Sequence, residues 1–289
     1  GEWSIQGKGG EKPDMKKITA GRVIYWSLAV SWFLLAVFPL YFTVISSVKE
    51  DSEIFSNYFI PTSAPRFGNF ITANAMSGIV RAIVNSLAVS ACSISVMLML
   101  VIPLSYVVAR SKIMFTKTIT LYLMAALMVP IQCAIVPIVQ GVNLIHGQDN
   151  LLVLIMLYAG INMPMTFFIL TGAFSEISKE LDESAAIDGC GLLQTIFRII
   201  VPIAKPSIAT CAIIAFLAVY NELALANVLI SKKQFRTISV ALLNFKGDFG
   251  TLYSIIFAAV LMCIVPTVLF YLFAQEKVEK GLSAGALKG

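Results

Sequence analysis

Long uncharged runs of similar length recur along this chain, separated by short charged connections. Twenty-six residues without a charge lie between Arg22 and Lys49, and 28 between Arg81 and Arg110. Lys117 to Asp149 encloses a third run interrupted only by His146, and Asn150 to Ser175 forms a fourth. Lys205 to Lys232 encloses a fifth, holding one acid, Glu222, and Asp248 to Glu276 encloses a sixth. Each exceeds the ~20 residues with which an α-helix crosses the hydrocarbon. None shows the period-two alternation of barrel strands, and backbone in lipid must satisfy itself internally. The pattern predicts an all-α polytopic membrane protein with six transmembrane helices. The first helix, 21–48, has too long an apolar run and no small-residue cleavage site after it, so it is expected to be retained and not removed as a signal peptide.

One segment breaks the pattern. ELDESAAIDGCGLLQTIFRIIVPIAKP, Glu180 to Pro206, places four acids, two glycines and two prolines between the fourth and fifth runs. Ile177 to Cys190 has helical character, with Leu181, Ser184, Ala185 and Asp188 on one face. Gly189 and Gly191 supply a helix stop or sharp turn. LLQTIFRIIV then reads as a second short helix ended by Pro202, and Pro206 suits the first turn of the fifth span. The segment is expected to be two short helices joined by a glycine elbow at a membrane surface. On geometry alone, an interfacial hairpin with no partner remains an equal reading.

Composition and charge add direction. The chain is 58% hydrophobic and 13% charged, with mean hydropathy +0.86, whereas soluble domains carry about 25% charged residues. The net charge of +5 carries topology and not a nucleic-acid footprint, because no basic cluster with interleaved aromatics is present. With both termini inside, 14 of the 21 basic residues are cytoplasmic. These are Lys8, Lys12, Lys16, Lys17 and Arg22, the Arg110–Lys117 connection, Lys179, Arg198 and Lys205, and Lys277, Lys280 and Lys288. Four of the seven left outside lie in the Lys232–Lys246 loop. The positive-inside rule therefore puts 176–206 in the cytoplasm. The N-terminal tail, 1–20, is Gly- and Lys-rich and expected to be poorly ordered. It starts without Met, which points to a partly non-native start. Five cysteines without CxxC spacing read as buried small hydrophobes, and His146 has no plausible metal partners, so no metal site is expected.

Polar residues inside the spans mark a candidate translocation path: Asn85, Gln132, Asn162, Tyr220, Asn221 and Glu222. Most of these read equally as ordinary helix packing. Glu222 resists that account, since a carboxylate in a span is costly and usually faces a cavity or interface. Its remaining readings are a snorkelled position near the outer surface and a proton relay.

Particular residues carry a family resemblance. Glu183-Ser-Ala-Ala-Ile-Asp188-Gly189, followed by Phe197, Ile199, Pro202 and Pro206, resembles the EAA loop of ABC import permeases. It looks most like the second permease subunit of the carbohydrate, maltose-type, importers. Ser184 stands where that family usually has Ala, and Gly191 loosens the elbow further. Tyr220-Asn221-Glu222 is similar to the family's Trp-Asn-Glu. Gln275 with the terminal run Gly281-Leu-Ser-Ala-Gly285-Ala-Leu-Lys288-Gly289 resembles the family's tail. The resemblance covers residues 20 to 289.

It implies a type I ABC importer permease fold with a core over 80–275, a coupling helix in 176–206 between helices four and five, and a cytoplasmic tail over 276–289. It also implies a second permease subunit, two ATP-binding-cassette ATPases and an extracytoplasmic sugar-binding protein, in a prokaryotic inner membrane. Glu183, Ser184, Ala185, Asp188, Gly189, Cys190, Gly191 and Pro202 would meet the ATPase; Glu183 would offer charge and Ala185 close approach. Gly281, Gly285 and Lys288 would form a second ATPase contact. The chain lacks GxxxxGK[ST], so ATP and Mg belong to the partners and the chain itself is expected to be non-catalytic. Three readings stand against this one: an ion-coupled secondary transporter working through Glu222, a non-transporting scaffold, and an importer for another solute such as a glycerol-phosphate compound or polyamine.

Overall fold

The computed structural model describes residues 20–111, 114–248 and 252–286, and those residues contain helices and connections but no strand. Four helices are long and apolar enough to cross a membrane: α1 (Ala20–Ser47), α4 (Ile79–Arg110), α7 (Leu151–Glu176) and α14 (Tyr253–Ala286). Between α1 and α4 lie the short helices α2 (Asp51–Ser56) and α3 (Gly68–Ser77). The expected third span is not one straight helix. It is a pair, α5 (Met114–Met128) and α6 (Ile131–Leu144), bent by 104°. The cause sits at the joint: Pro130 is extended, at φ −60° and ψ 132°, and it also biases the residue before it away from helix.

The fifth span is broken as well. α11 (Lys205–Tyr220) has 16 residues, about 24 Å at helical rise, against a hydrocarbon thickness of about 30 Å. The chain leaves the helix at Asn221 and resumes as α12 (Ala224–Leu229). Tyr220, Asn221 and Glu222 thus stand at a break and not inside a continuous span. A 3-10 turn, Lys233–Phe235, leads to α13 (Ile238–Asp248).

The core lies between α4 and α7, which make the most extensive helix–helix contact in the chain. One stripe of α4 is buried at helical spacing: Ser86, Ser90, Ser93, Met97, Val101 and Ser105. Its small members let another helix approach closely, which is how helices gain packing energy where lipid removes the hydrophobic drive. Phe167, Leu170 and Phe174 of α7 meet Met97 and Val101 in one cluster, with no solvent exposure at all for the three α7 residues. α11 packs on both helices, and α14 packs on α11, α3 and α1. α1 is joined mainly through α14, with Phe42 edge-on to Phe257 at 5.3 Å, and its residues 21–41 are exposed on every side, Trp26, Trp32, Leu34 and Leu35 among them.

Two cysteines depart from expectation. Cys92 on α4 and Cys133 on α6 are exposed on helix faces, while Cys211 is buried and Cys190 and Cys263 are half-buried. In a membrane protein an apolar side chain needs no protein cover, because lipid serves as its solvent. The expected disorder of the N-terminal tail falls outside the described residues.

Replacing Phe167 by Ala should destabilise the bundle by about 3–5 kcal/mol, the range for emptying a filled aromatic site. Thermal unfolding in detergent checks this, with the Phe167→Ala chain still inserting but melting at a lower temperature.

Candidate functional site

The segment that interrupted the hydrophobic pattern forms a compact elbow. α8 (Glu180–Ile187) is preceded by a turn in which Ser178 Oγ accepts from Glu180 N at 3.3 Å. It is three residues shorter at each end than the expected 177–190. Gly189 ends it at φ +77°, a conformation costing a side-chain-bearing residue about 1–2 kcal/mol. Gly189 N donates to Ala186 O at 3.1 Å and Cys190 N to Ala185 O at 2.9 Å. That is the Schellman arrangement, in which two otherwise unpaired carbonyls are satisfied by the turn itself. A Cβ at Gly189 would meet nothing within 4 Å, so glycine is required there by backbone conformation and not by space.

Gly191 plays a different part from the one expected. Its φ is −74°, open to any residue, and it starts the next helix by donating its N–H to Gln194 Oε1 at 3.0 Å. α9 (Leu192–Gln194) runs through a π-helical stretch, Thr195–Ile200, into α10 (Val201–Ile203). Pro202 therefore does not end this helix. A proline removes a donor and crowds the carbonyl four residues earlier, and the wider π turn just ahead of it takes up the strain. The break comes at Ala204, where the chain bends by 82° into α11, with Pro206 in that helix's first turn as expected.

The faces of α8 are divided clearly. Ala185 is 2% exposed, packed inward where α8 meets the π stretch. It is an internal packing residue and not part of a free face, which corrects the expectation that it offers close approach to a partner. Glu183, Ser184, Asp188, Gly189, Gly191 and Pro202 are exposed, and Cys190 is half-buried. Sequence reasoning passed over Ile187, which is 86% exposed at the end of α8, against 38% for Leu181. Beside it, Leu192, Leu193 and Phe197 are also exposed.

The polar residues read as a translocation path do not share one cavity. Tyr220 and Asn221 line a groove of about 280 Å³ between α11, α13 and α14, whose wall is mainly apolar (Ile238, Leu242, Val260 and Ile264) with Ser239 and Thr267 among it, and Asn221 Nδ2 donates to Leu217 O at 2.9 Å. Asn85 serves elsewhere: its Nδ2 donates to Gln234 O and Arg236 O, each at 3.0 Å, holding the connection before α13. Asn162 donates to Tyr158 O one turn back, at 2.8 Å, and Gln132 is exposed on α6.

Glu222 is accounted for by the helix break. Its Oε1 accepts from Leu225 N at 2.8 Å and its Oε2 from Ala226 N at 3.1 Å, while Tyr158 Oη donates to Oε2 at 2.5 Å. A helix start within the bilayer presents free N–H groups that lipid cannot satisfy. The carboxylate supplies the acceptors, and Tyr158 supplies a donor to it. Tyr158 was missed because a single tyrosine in an apolar run carries no pattern. Among the described residues, no group of three His, Cys, Asp or Glu side chains could hold a metal ion. Of the expected second ATPase contact, Gly281 and Gly285 lie on the last turns of α14, and Lys288 lies outside the described residues.

The chain is thus a bundle of broken and continuous apolar helices with an exposed acidic elbow. Residues 101–283 match the family of binding-protein-dependent transport system inner membrane components, and the chain belongs to that family. It is 34% identical over 269 residues, 92% of this chain and 96% of the other, to a Caldicellulosiruptor sp. (strain Rt8B.4) protein classed as an ABC transporter permease. It is 29% identical, over 95% of this chain and all of the other, to the diacetylchitobiose uptake system permease protein DasC of Streptomyces coelicolor. Among solved structures, a chain of a bacterial ABC transporter importing the acidic polysaccharide alginate superposes with a TM-score of 0.81, covering 93% of this chain and 99% of that one. At 15% identity that likeness is one of fold.

Glu222→Ala should loosen α12 by about 0.5–2 kcal/mol, the usual cost of losing a cap. Hydrogen exchange at the Leu225 and Ala226 amides reads this directly. Tyr158→Phe leaves both amides bonded to Glu222, so their protection should persist.

Proposed function

We propose that this chain is a permease subunit of an ATP-driven importer for a sugar or oligosaccharide, and that α8 is the handle by which partner ATPases move it. The observation that carries the reading is the elbow. A short helix with three acids in its first turn, Glu180, Asp182 and Glu183, is held by a left-handed glycine and presents Ile187 at its tip. Such a helix can seat in a groove of another protein, with Ile187 as the apolar anchor and Glu183 and Asp188 as charged flanks. Closure of an ATPase dimer would then carry the elbow as a rigid body and rock the attached spans. The sugar assignment draws on relatives such as DasC. The translocation path is assigned to the groove at Asn221, whose wall is mostly apolar with the Asn221 amide and the Ser239 and Thr267 hydroxyls as its polar groups.

In this reading the α8 end of the bundle and both termini are cytoplasmic, as the distribution of Lys and Arg supports. A second permease completes the pathway, an extracytoplasmic binding protein delivers the sugar, and ATP with Mg is held by the ATPases. The tail around Gly281, Gly285 and Lys288 makes a further approach to them. Ion coupling through Glu222 is disfavoured, because its two oxygens are spent on backbone amides and Tyr158.

The test compares two substitutions at Gly189 in the importer co-expressed from its own gene neighbourhood. Gly189→Ala adds only the left-handed backbone cost, about 1–2 kcal/mol, and should retain most uptake of the cognate binding protein's ligand. Gly189→Arg adds bulk and charge on the exposed elbow and should abolish ATP-driven uptake while the chain still inserts. Full uptake by Gly189→Arg overturns the reading.

A further inference from the structure

We propose that Arg110, in the last turn of α4, is a positioning residue that clamps α8 to the ends of α4 and α7, so that α8 cannot tilt without carrying those two helices. The functional half of this inference rests on the reading of α8 as the point where ATPases act. The clamp itself does not.

Three elements converge on one guanidinium. Arg110 Nη1 donates to Phe174 O and Ile177 O, both at 3.0 Å, and so covers the carbonyls at the C-terminal end of α7. Its Nε lies 2.6 Å from Asp182 Oδ2 in the first turn of α8. Tyr106, one turn earlier on α4, donates its hydroxyl to Asp182 Oδ1 at 2.8 Å, and the guanidinium carbon stands 5.7 Å from that ring's centroid. The Arg110–Asp182 contact is an ion pair held by proximity, since neither Nε nor Oδ2 has an aligned hydrogen-bond partner among the described residues.

Burial decides how much this matters. The two side chains are 12% and 20% exposed, whereas the one other ion pair among the described residues, Arg66–Glu50, is 58% and 53% exposed. A pair open to solvent contributes little. One enclosed by protein leaves an uncompensated charge if either member is removed. Position adds to the effect: a cation sits at the C-terminal end of α7 and an anion at the start of α8, each matching its helix dipole. α8 also packs on the π stretch, whose Ile196 and Ile200 are buried with Met97, Val101, Tyr106 and Phe174, and Ala185 of α8 is itself buried. The elbow is thus fixed to the α4–α7 core at both its start and its middle. Lysine is a poor substitute for Arg110, because the guanidinium meets the two carbonyls through Nη1 and the carboxylate through Nε, and an ammonium has a single nitrogen for both.

The test uses the assembled importer in lipid nanodiscs. In a cysteine-depleted background, spin labels are placed at exposed Ala186 on α8 and exposed Val84 near the far end of α4, and their distance distribution is measured by pulsed electron resonance. Arg110→Lys and Asp182→Asn should broaden the distribution at least twofold and raise the ATP hydrolysed per ligand imported several-fold. Asp182→Glu should keep both near the unmodified values. A distribution left unchanged by Arg110→Lys and Asp182→Asn overturns the clamp, whatever uptake does. A broadened distribution with unaltered coupling supports the clamp and overturns the role of α8 as the driven element. If Arg110→Lys prevents assembly, Asp182→Asn and Tyr106→Phe, which leave the Arg110 bonds to the α7 carbonyls in place, supply the same two readouts.

Discussion

Backbone amides and carbonyls in a bilayer have no water to turn to, and this chain breaks its helices repeatedly. At break after break, a side chain completes the exposed backbone, at one break from the same turn and at the others from a distant segment. Glu222 caps α12 where the fifth span is interrupted. Asp149 accepts from Ser231 N and Lys232 N, and Asn85 and Ser86 hold the residues that lead into α13. Asp51 accepts from Tyr253 N and Ser254 N at the start of α14, and Arg110 covers the end of α7. Non-helical backbone at membrane depth is tolerated only where protein satisfies it. The polar residues that look anomalous in apolar runs are in large part that protein.

This requirement divides the polar residues into two populations. Asn85, Asn162 and Glu222 are spent on backbone groups within the chain. Asn221 spends its Nδ2 in the same way, on Leu217 O, whereas Glu183 and Asp188 face outward on the elbow. A transporter needs both kinds: polar groups that keep broken helices rigid, and polar groups left free to meet something else. Their similar appearance in the sequence hides a difference in what each has left to offer.

The two ends of the bundle also differ in how they are held. At the end carrying Asp51, Asn85 and Asp149, connections are tied to one another by many bonds between neutral or singly charged groups and backbone. At the α8 end, one guanidinium, one carboxylate and one phenol gather three helices. A joint concentrated in few strong contacts moves as a body, because deforming it means exposing a charge. That is a useful property where force is to be received.

Much was legible before the structure. Six uncharged runs announced a membrane bundle because the cost of burying charge in lipid is large and local. The glycine at 189 announced a turn because only backbone conformation was at stake. Four matters were decided by tertiary structure alone: the 104° bend at Pro130, the break after Tyr220, the inward face of Ala185, and the meeting of Arg110 with Asp182 across 72 positions of sequence. Hydropathy averages over a helix and cannot register where it breaks. The spacing of small residues on α8 identified a packing face without telling which neighbour it meets. The apolar runs and the elbow follow from local chemistry read one residue at a time. Which polar group is consumed and which is free follows only from where distant segments are brought together, since each hydrogen bond made inside the protein removes one that could be made to a partner.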